Sequence, residues 1–420
     1  MERVGFLSER KSLLPLQAQT RHRPSIKIYL AFSNEFNMIT SNKKLQNIIN
    51  WIAIIALMIF YGGTWLSPDF YHITEIYASL IVFVCLAVLF VANVDWIGAL
   101  KTRDLSFYAL IIACPLALLN LFIMHSNKGC LILLTDFLLL WYLADKVRFS
   151  KYQMRFMYVV FTLVFLVWII KDLAFSYNPN TGASVTVFSF LCVLAYLVGF
   201  TRKKEIYGLI TTMLMVRVIN LVIWHRARGA FVALFLFLFF YYVIPKKWWQ
   251  DVKKFKALSL FSTLGSIAFV FLYVAAASTG VNFQMPIFYK DVFSGREQVW
   301  LEIFDKLKEH PLTGIGSGYK LESFFEYNIH NVMYDILAVH GIIVFILAMY
   351  IILGRMFMIP GRLAFADDMP CKGSRIVAVS GIYAMAIESF IDMDFSWPPY
   401  APVVLFLLLI IFDGEDDGKG

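Results

Sequence analysis

Residues 206–245 read IYGLITTMLMVRVINLVIWHRARGAFVALFLFLFFYYVIP, in which two apolar runs flank the short segment WHRARG at 224–229. Each run has roughly the length that an α-helix needs to cross the hydrocarbon core of a bilayer. Two helices joined by a connection of a few residues are antiparallel neighbours. The stretch therefore predicts a membrane hairpin with Arg226 and Arg228 at its turn.

Apolar stretches of similar length recur along the whole chain. Of its 420 residues, 60% are hydrophobic and 17% are aromatic, and the mean hydropathy of +0.70 excludes an ordinary soluble domain. Windows of about 20 apolar residues predict an all-α, polytopic integral membrane protein with about twelve transmembrane helices. We place these spans at 48–66, 75–94, 106–124, 130–144, 156–175, 183–200, 206–223, 229–245, 258–277, 331–352, 376–391 and 399–413.

The spans divide the chain into five parts, one of which is a large loop between the ninth and tenth helices. The parts are a cytoplasmic N-terminal tail (1–47), a nine-helix transmembrane region (48–277), an extracytoplasmic loop (278–330), a three-helix transmembrane region (331–413) and a cytoplasmic tail (414–420). Residues 1–37 are polar and basic. They are either part of the tail or the product of a start codon upstream of Met38.

The distribution of Lys and Arg predicts which side each loop faces. With the N-terminus in the cytoplasm, the inner segments carry twenty basic residues and the short outer segments carry four. Short cytoplasmic loops are enriched in Lys and Arg, so the distribution predicts an even number of spans with both termini inside. The net charge of +8 reflects the same asymmetry and is no argument for nucleic acid as a partner.

Two of the four outer basic residues are Arg226 and Arg228, at the turn of the 206–245 hairpin. Short outer loops normally avoid Lys and Arg, so their presence suggests an anion that they hold. The anion expected at an outer membrane face is a lipid-linked phosphate. The alternative is that both side chains only extend toward lipid headgroups from the ends of their helices.

The large loop carries further candidates. Ser294 and Glu297 have the spacing of a capping box, and the residues after them predict an amphipathic helix lying on the membrane. Its apolar residues are Val299, Trp300, Ile303, Phe304 and Leu307. Gly314 and Gly316 follow in a flexible run that would let the backbone approach a ligand, and His330 ends the loop.

Arg226, Arg228, Arg296 and His330 together suggest chemistry on a diphosphate. A guanidinium binds pairs of phosphate oxygens and stays charged, so two arginines would neutralise a pyrophosphate diester without a metal ion. His330 would take a proton from a sugar hydroxyl, since histidine exchanges protons near neutral pH. Asp335, about one helical turn further on, is a candidate for orienting the imidazole. The five cysteines show no metal or disulfide spacing, and we expect no metal or other cofactor.

The order of these motifs resembles the O-antigen ligase and polymerase (Wzy-type) family of bacterial polysaccharide assembly. Span count, topology and one large outer loop late in the chain agree, and the motifs lie within 178–345. They are Asn178-Pro179-Asn180-Thr181, Ala227-Arg228-Gly229-Ala230, Ser294-Gly295-Arg296-Glu297 with Trp300, His310-Pro311-Leu312-Thr313-Gly314-Ile315-Gly316, and His330-Asn331 ahead of Gly341-Ile342-Ile343. The chain departs from the family at His225-Arg226-Ala227, where small or polar residues are more usual before the arginine.

The resemblance implies a metal-independent, inverting glycosyltransferase whose donor is a glycan linked to undecaprenyl diphosphate. Arg228 and Arg296 would bind the diphosphate, with Arg226 as the alternative to Arg228, and His330 would be the catalytic residue at the acceptor hydroxyl. The supporting residues would be Asn331, Asp335, Gly314 and Gly316. The protein would lie in the cytoplasmic (inner) membrane of a bacterium, with its active site on the extracytoplasmic face.

Three functions remain open at this point. A polymerase adds one lipid-linked repeat unit to another for O-antigen, capsule or exopolysaccharide, and the Ser-Gly-Arg-Glu and Asn-Pro-Asn motifs favour it slightly. A ligase transfers finished polymer to lipid A-core. A lipid-linked oligosaccharide flippase is the alternative from another class, although the two halves of the chain show no repeat of the kind that transporters have. Expected partners are the lipid-linked oligosaccharide, an acceptor glycan or lipid A-core, the lipid bilayer, and flippase and chain-length regulator proteins.

Overall fold

The computed structural model describes residues 42–124, 128–173, 177–200, 204–293, 295–319, 321, 329–364 and 372–412. Most of the expected N-terminal tail, the whole C-terminal tail and Ser294 lie outside these residues. The first eight helices are α1 (Lys43–Leu66), α2 (Pro68–Asn93), α3 (Trp96–Lys101), α4 (Leu105–Ile123), α5 (Lys128–Leu143), α6 (Lys151–Lys171), α7 (Pro179–Phe200) and α8 (Lys204–Trp224).

The second half of the chain contains seven further helices and one small ribbon. The helices are α9 (Arg228–Leu238), α10 (Val252–Ala277), α11 (Arg296–Glu309), α12 (Val332–Met356), α13 (Ile359–Ala364), α14 (Lys372–Glu388) and α15 (Ala401–Phe412). A π-helical turn (Phe239–Val243) extends α9, and short 3₁₀ segments cover Lys246–Gln250 and Pro398–Tyr400. Strands β1 (Gln284–Met285) and β2 (Lys290–Asp291) pair antiparallel.

The all-α, multi-pass architecture is confirmed, and each predicted span overlaps a helix. Within the described residues, six helices are long and apolar enough to cross a membrane. They are Lys43–Leu66, Ile76–Asn93, Lys151–Lys171, Pro179–Gly199, Val252–Ala277 and Val332–Leu363. Shorter apolar helices cover Leu105–Asn120, Leu134–Leu143, Gly208–Trp224, Arg228–Val243 and Pro398–Phe412. The count of twelve spans therefore stays a prediction.

Polar residues between the apolar runs fix where helices begin. Asn42 caps α1 by accepting hydrogen bonds from two amides of the first turn. Ser67 ends α1 and caps α2, where Pro68 occupies the first helical position and needs no amide partner. Ser150 and Gln153 form a reciprocal capping box at the start of α6. These caps supply hydrogen bonds to amides that have no partner inside the helix.

Contacts between connecting segments follow the predicted alternation of sides. At one end of the bundle, His225 Nε2 lies 2.8 Å from Asp172 Oδ1, and the two segments were both predicted to face outward. At the other end, Arg355 Nε lies 2.9 Å from Asp145 Oδ1, which joins two segments predicted to face inward. Each of these two contacts joins segments that were predicted to share a face, while the topology and the identity of each face stay predictions.

Helix α12 is broken at Gly341, and the glycine run after α11 fills the break. Gly341 has φ of 79° and Gly314 has φ of 74°, and a Cβ on Gly314 would lie 2.5 Å from the Val339 oxygen. The amides of Ile315 and Gly316 donate to the Ala338 and Val339 carbonyls at 2.8 and 3.1 Å. The break leaves these carbonyls without helical partners, and the glycine run satisfies them. Gly314 and Gly316 thus pack against α12, while the expected approach of this run to a ligand stays a prediction.

The apolar face of α11 packs against protein, so the prediction that this helix lies on the membrane is wrong. Val299, Trp300 and Ile303 are fully buried in a small cluster with residues of α10 and α12. Tyr334 of α12 donates its hydroxyl to the Trp300 carbonyl at 3.0 Å. The helix also begins one residue later than expected, at Arg296, with the preceding glycine at the N-cap position.

Candidate active site

Four cationic side chains from three segments converge beside the start of α9. Arg226 and Arg228 belong to the α8–α9 turn, Lys290 to β2, and Arg296 to the first turn of α11. Lys290 Nζ donates to the Arg226 carbonyl at 3.1 Å, and Arg228 Nη1 donates to the Asp291 carbonyl at 2.6 Å. Burial, together with the charges of Arg228, Arg226 and Arg296, lowers the pKa of Lys290. Such a concentration of positive charge favours an anion as ligand.

The β1–β2 ribbon is held over the α8–α9 turn by aromatic contacts. The Phe288 ring is buried and packs edge-on against Phe231 of α9, with centroids 5.2 Å apart. The Arg226 guanidinium lies 5.0 Å from the centroid of the Tyr289 ring, in a cation–π arrangement. Tyr273 of α10 donates to the Val292 carbonyl at 2.8 Å. The ribbon is therefore attached to two helices, although it has only two residue pairs.

A cavity of about 360 Å³ opens between the ribbon and the start of α9. Its lining residues are Arg228, Gln284, Tyr289, Lys290, Asp291 and Phe293. Arg228 and Lys290 thus face the same space, whereas Arg226 lies over the Tyr289 ring. The structure favours Arg228 over Arg226 as the arginine that a ligand in this cavity would meet.

His330 lies against an acidic residue from the segment after α14. Its Nδ1 is 3.4 Å from Asp392 Oδ1, and both side chains are 28% exposed, so a ligand can reach them. Burial alone would raise the pKa of Asp392, but the hydrogen bond with His330 and the charge of Arg296 hold it below its ordinary value. A carboxylate beside Nδ1 favours the imidazole tautomer that carries its proton on Nδ1, which leaves a lone pair on Nε2. The pair has the arrangement of an oriented general base.

Buried contacts on both sides of His330 fix its position. His330 has φ of 50°, a left-handed conformation that a residue other than glycine keeps only under constraint. On one side, Trp300 Nε1 donates to the Ile329 carbonyl at 2.6 Å. On the other, the fully buried Asn331 caps α12 through the Tyr334 amide at 2.9 Å. The expected supporting role of Asn331 thus has a structural basis as a positioning contact.

Carboxyl groups also lie beneath the first turn of α9. A Cβ on Gly229 would lie 2.8 Å from Glu388 Oε1 and 3.2 Å from Asp392 Oδ2, so only glycine fits here without moving them. Asp394 is also buried, and burial and the charge of Asp392 raise its pKa well above the ordinary value. The positive end of the α9 dipole faces these groups. Among the described residues, no group of three or more His, Cys, Asp or Glu side chains has an arrangement that could hold a metal ion.

The structure brings Arg228, Arg296 and His330 into one region, as the sequence predicted. The charge of Arg296 influences the pKa of both Lys290 and Asp392. Asp392, which contacts His330, also lies beside Gly229, the residue that follows Arg228. We expected Asp335 to orient His330, but the structure gives that contact to Asp392. Asp335 instead lies near Tyr319, whose pKa is raised by burial and by the Asp335 charge.

Lys290 and Asp392 were not identified from the sequence. Lys290 stands in the large loop without a motif around it, so nothing in the sequence links it to Arg226 and Arg228. Asp392 and Asp394 form an Asp-x-Asp pattern on the predicted outer side. They lie about 60 residues from His330 along the chain, so the contact between His330 and Asp392 could not be predicted from the sequence. Only the hydrogen bonds between the start of α12 and the segment after α14 show it.

Residues 213–349 match the family model of the O-antigen ligases. This part of the chain is similar to the O-antigen ligases. The matched region contains all four cations and His330, while Asp392 lies beyond it. The match covers about a third of the 420 residues, and together with the apolar helices it supports a multi-pass membrane protein with a ligase- or polymerase-type function in glycan assembly. No curated protein matches the chain significantly.

Proposed function

We propose that the protein is a Wzy-type polymerase that transfers glycan from an undecaprenyl-diphosphate-linked donor to the hydroxyl of an acceptor sugar. The observation that carries this proposal is that Asp392, which contacts His330, also lies beside Gly229, the residue that follows Arg228. A diphosphate beside Arg228 and a hydroxyl beside His330 would then flank one reacting carbon. The active site would face the extracytoplasmic side of the bacterial inner membrane, with both termini in the cytoplasm.

The chemistry assigns one task to each side of the site. His330 Nε2 takes the proton of the acceptor hydroxyl, and the freed oxygen forms a bond to the anomeric carbon of the donor. The bond from that carbon to the diphosphate oxygen breaks, and the electron pair leaves with undecaprenyl diphosphate. Arg228 and Arg296 stabilise the charge of this leaving group through bidentate hydrogen bonds. Attack from the side opposite the leaving group inverts the anomeric configuration, and the proton on His330 passes to solvent.

Asp392 would support this step electrostatically. Its pKa is held below the ordinary value by His330 and Arg296 against the effect of burial, so it is ionised at neutral pH. An ionised carboxylate at Nδ1 stabilises the imidazolium that forms when Nε2 takes a proton. These groups need no metal ion for either the proton transfer or the departure of the diphosphate.

Ligase activity on lipid A-core is the alternative within the family, and the description of the matching family names it. Both reactions use the same groups, because both release undecaprenyl diphosphate from a glycan. A flippase would also need cations that bind the diphosphate, but it would not need an oriented base beside them. The site geometry therefore supports transfer over translocation, while the acceptor decides between the two transferases.

Complementation of a deletion strain tests the proposal and separates the alternatives. Cells would carry wild type, Arg228→Ala, Arg296→Ala or His330→Ala at equal expression, with surface glycans resolved on a gel. A polymerase defect leaves single repeat units on lipid A-core, whereas a ligase defect leaves polymer on undecaprenyl diphosphate. Lys308→Ala, an exposed change on α11, is the control. Full-length glycan in all three site variants would contradict the transferase assignment.

A further inference from the structure

Lys290 has binding capacity that the fold leaves unused. An ammonium group carries three N–H donors, and within the described part of the chain Lys290 makes one hydrogen bond, to the Arg226 carbonyl. No carboxylate among the described residues lies within ion-pair distance of it. Two of its N–H groups are therefore available to an anion that enters the adjoining cavity.

The ribbon places Lys290 in a defined position. In the register, Lys290 faces Met285 across the ribbon, and Gln284 faces Asp291. The buried Phe288 ring anchors the preceding turn to α9, and Arg228 holds the Asp291 carbonyl. Lys290 thus follows a fixed turn and precedes a fixed backbone group. Less of its conformational freedom remains to be lost on binding than for a lysine on a mobile loop.

Arg228 and Lys290 line the same cavity of about 360 Å³, but they suit different parts of an anion. The planar guanidinium binds two oxygens of one phosphate, whereas the ammonium acts as a point charge with rotatable donors. A lipid diphosphate offers two phosphate groups in sequence, and a lipid monophosphate offers one. A cavity with two cations of different type therefore fits the diphosphate better.

We propose that Lys290 is a diphosphate-binding residue that makes the site prefer lipid diphosphates over lipid monophosphates. The inference rests on the proposed function, in which Arg228 and Arg296 bind the same leaving group. Arg228 binds one phosphate, and Lys290 binds the other. The site thereby distinguishes the glycan donor from monophosphate lipids that share its hydrocarbon chain.

The test compares two soluble probes on the full chain in lipid nanodiscs, farnesyl diphosphate and farnesyl monophosphate. Wild type should bind the diphosphate more tightly. Lys290→Met should weaken diphosphate binding about tenfold, as expected for a hydrogen bond to a charged group, and change monophosphate binding by less than about twofold. Lys290→Arg should restore most of the preference. Lys308→Met, a change of the same chemistry at an exposed site on α11, should leave both affinities unchanged.

The outcomes separate this inference from the function on which it rests. If Lys290→Met keeps the wild-type preference while Arg228→Ala loses diphosphate binding, Lys290 has no part in recognition and the proposed function stands. If Lys290→Met weakens both probes equally, its charge acts at long range and the assignment to the second phosphate is wrong. If wild type binds the two probes equally, the proposed preference is wrong and the proposed function stands. If wild type binds neither probe, both proposals fail.

Discussion

Replacing Asn331 by alanine should impair both stability and transfer. The Asn331 side chain is fully buried and joins three elements beside His330. It accepts a hydrogen bond from the Ser266 hydroxyl of α10 at 2.8 Å, accepts another from the Tyr334 amide at 2.9 Å, and donates to the Phe390 carbonyl at 3.0 Å. The last bond ties the start of α12 to the segment that carries Asp392.

The cost of Asn331→Ala follows from these contacts. Losing a helix N-cap costs about 0.5–2 kcal/mol, and each buried group left without a partner costs about 1–3 kcal/mol. Ser266 and Phe390 would both lose such a partner, so we expect a total of roughly 3–5 kcal/mol. The link between His330 and Asp392 would loosen as well. The transfer rate should therefore fall at least about tenfold, with little change in donor affinity because the cationic cavity is intact.

The assay combines thermal unfolding in detergent with transfer kinetics on the purified protein. Asn42→Ala is the matched control, since Asn42 also caps a helix but is exposed and has no buried partner. It should cost at most about 1 kcal/mol and leave transfer unchanged. An unfolding midpoint for Asn331→Ala equal to that of Asn42→Ala, together with wild-type turnover, would refute the positioning role.

Three further predictions concern the break in α12, Asp392 and Lys290. Gly341→Ala places a Cβ against the Leu312 backbone at φ of 79°, so thermal unfolding should show a loss of roughly 2–4 kcal/mol. In the control variant Gly361→Ala nothing lies within 4 Å of the added Cβ, so the loss of stability should be much smaller. Equal unfolding midpoints for the two variants would contradict the packing argument. Asp392→Asn should slow transfer about 10²-fold. The amide would no longer stabilise the imidazolium that forms during transfer, and turnover within about twofold of wild type would count against the role of Asp392. Burial and three arginines lower the pKa of Lys290, so the side chain should lose its positive charge at a lower pH than an ordinary lysine does. The affinity for farnesyl diphosphate should decline over that pH range, and Lys290→Arg should remove the decline. A wild-type affinity that stays constant over the alkaline range would exclude this titration.

The sequence was sufficient for the helices and for part of the site. Hydropathy located the spans because a membrane demands long apolar helices whatever their neighbours are. Arg228 was found because a cation at an outer turn breaks a strong statistical rule. His330 was found because it precedes an apolar helix at the end of the large loop. Each of these signals lies within a few residues along the chain.

The residues that the sequence missed depend on contacts between distant segments. Asp392 meets His330 only because the segment after α14 is hydrogen-bonded to the start of α12, and no local sequence pattern predicts that contact. Lys290 reaches the α8–α9 turn only because Phe288 anchors the ribbon on α9. An amphipathic helix shows which face is apolar but not what covers it, so α11 was assigned to the lipid although it packs on α10 and α12.

Glycines show the same ambiguity. A run such as Gly314-Ile315-Gly316 fits a flexible ligand-binding loop and a close backbone contact equally well. The structure shows the second, because the carbonyls freed by the break at Gly341 need amide partners. Positive φ values at both Gly314 and Gly341 explain why glycine stands at each position.

The most direct test of the account is a single-turnover measurement on His330→Ala with donor already bound. The donor would be lipid-linked glycan extracted from the deletion strain, and binding and transfer would be measured on the same nanodisc sample. We predict donor binding within about twofold of wild type and transfer at least about 10²-fold slower, because the cationic cavity remains while the base is gone. Transfer at the wild-type rate would contradict the assignment of His330 as the group that takes the proton of the acceptor hydroxyl.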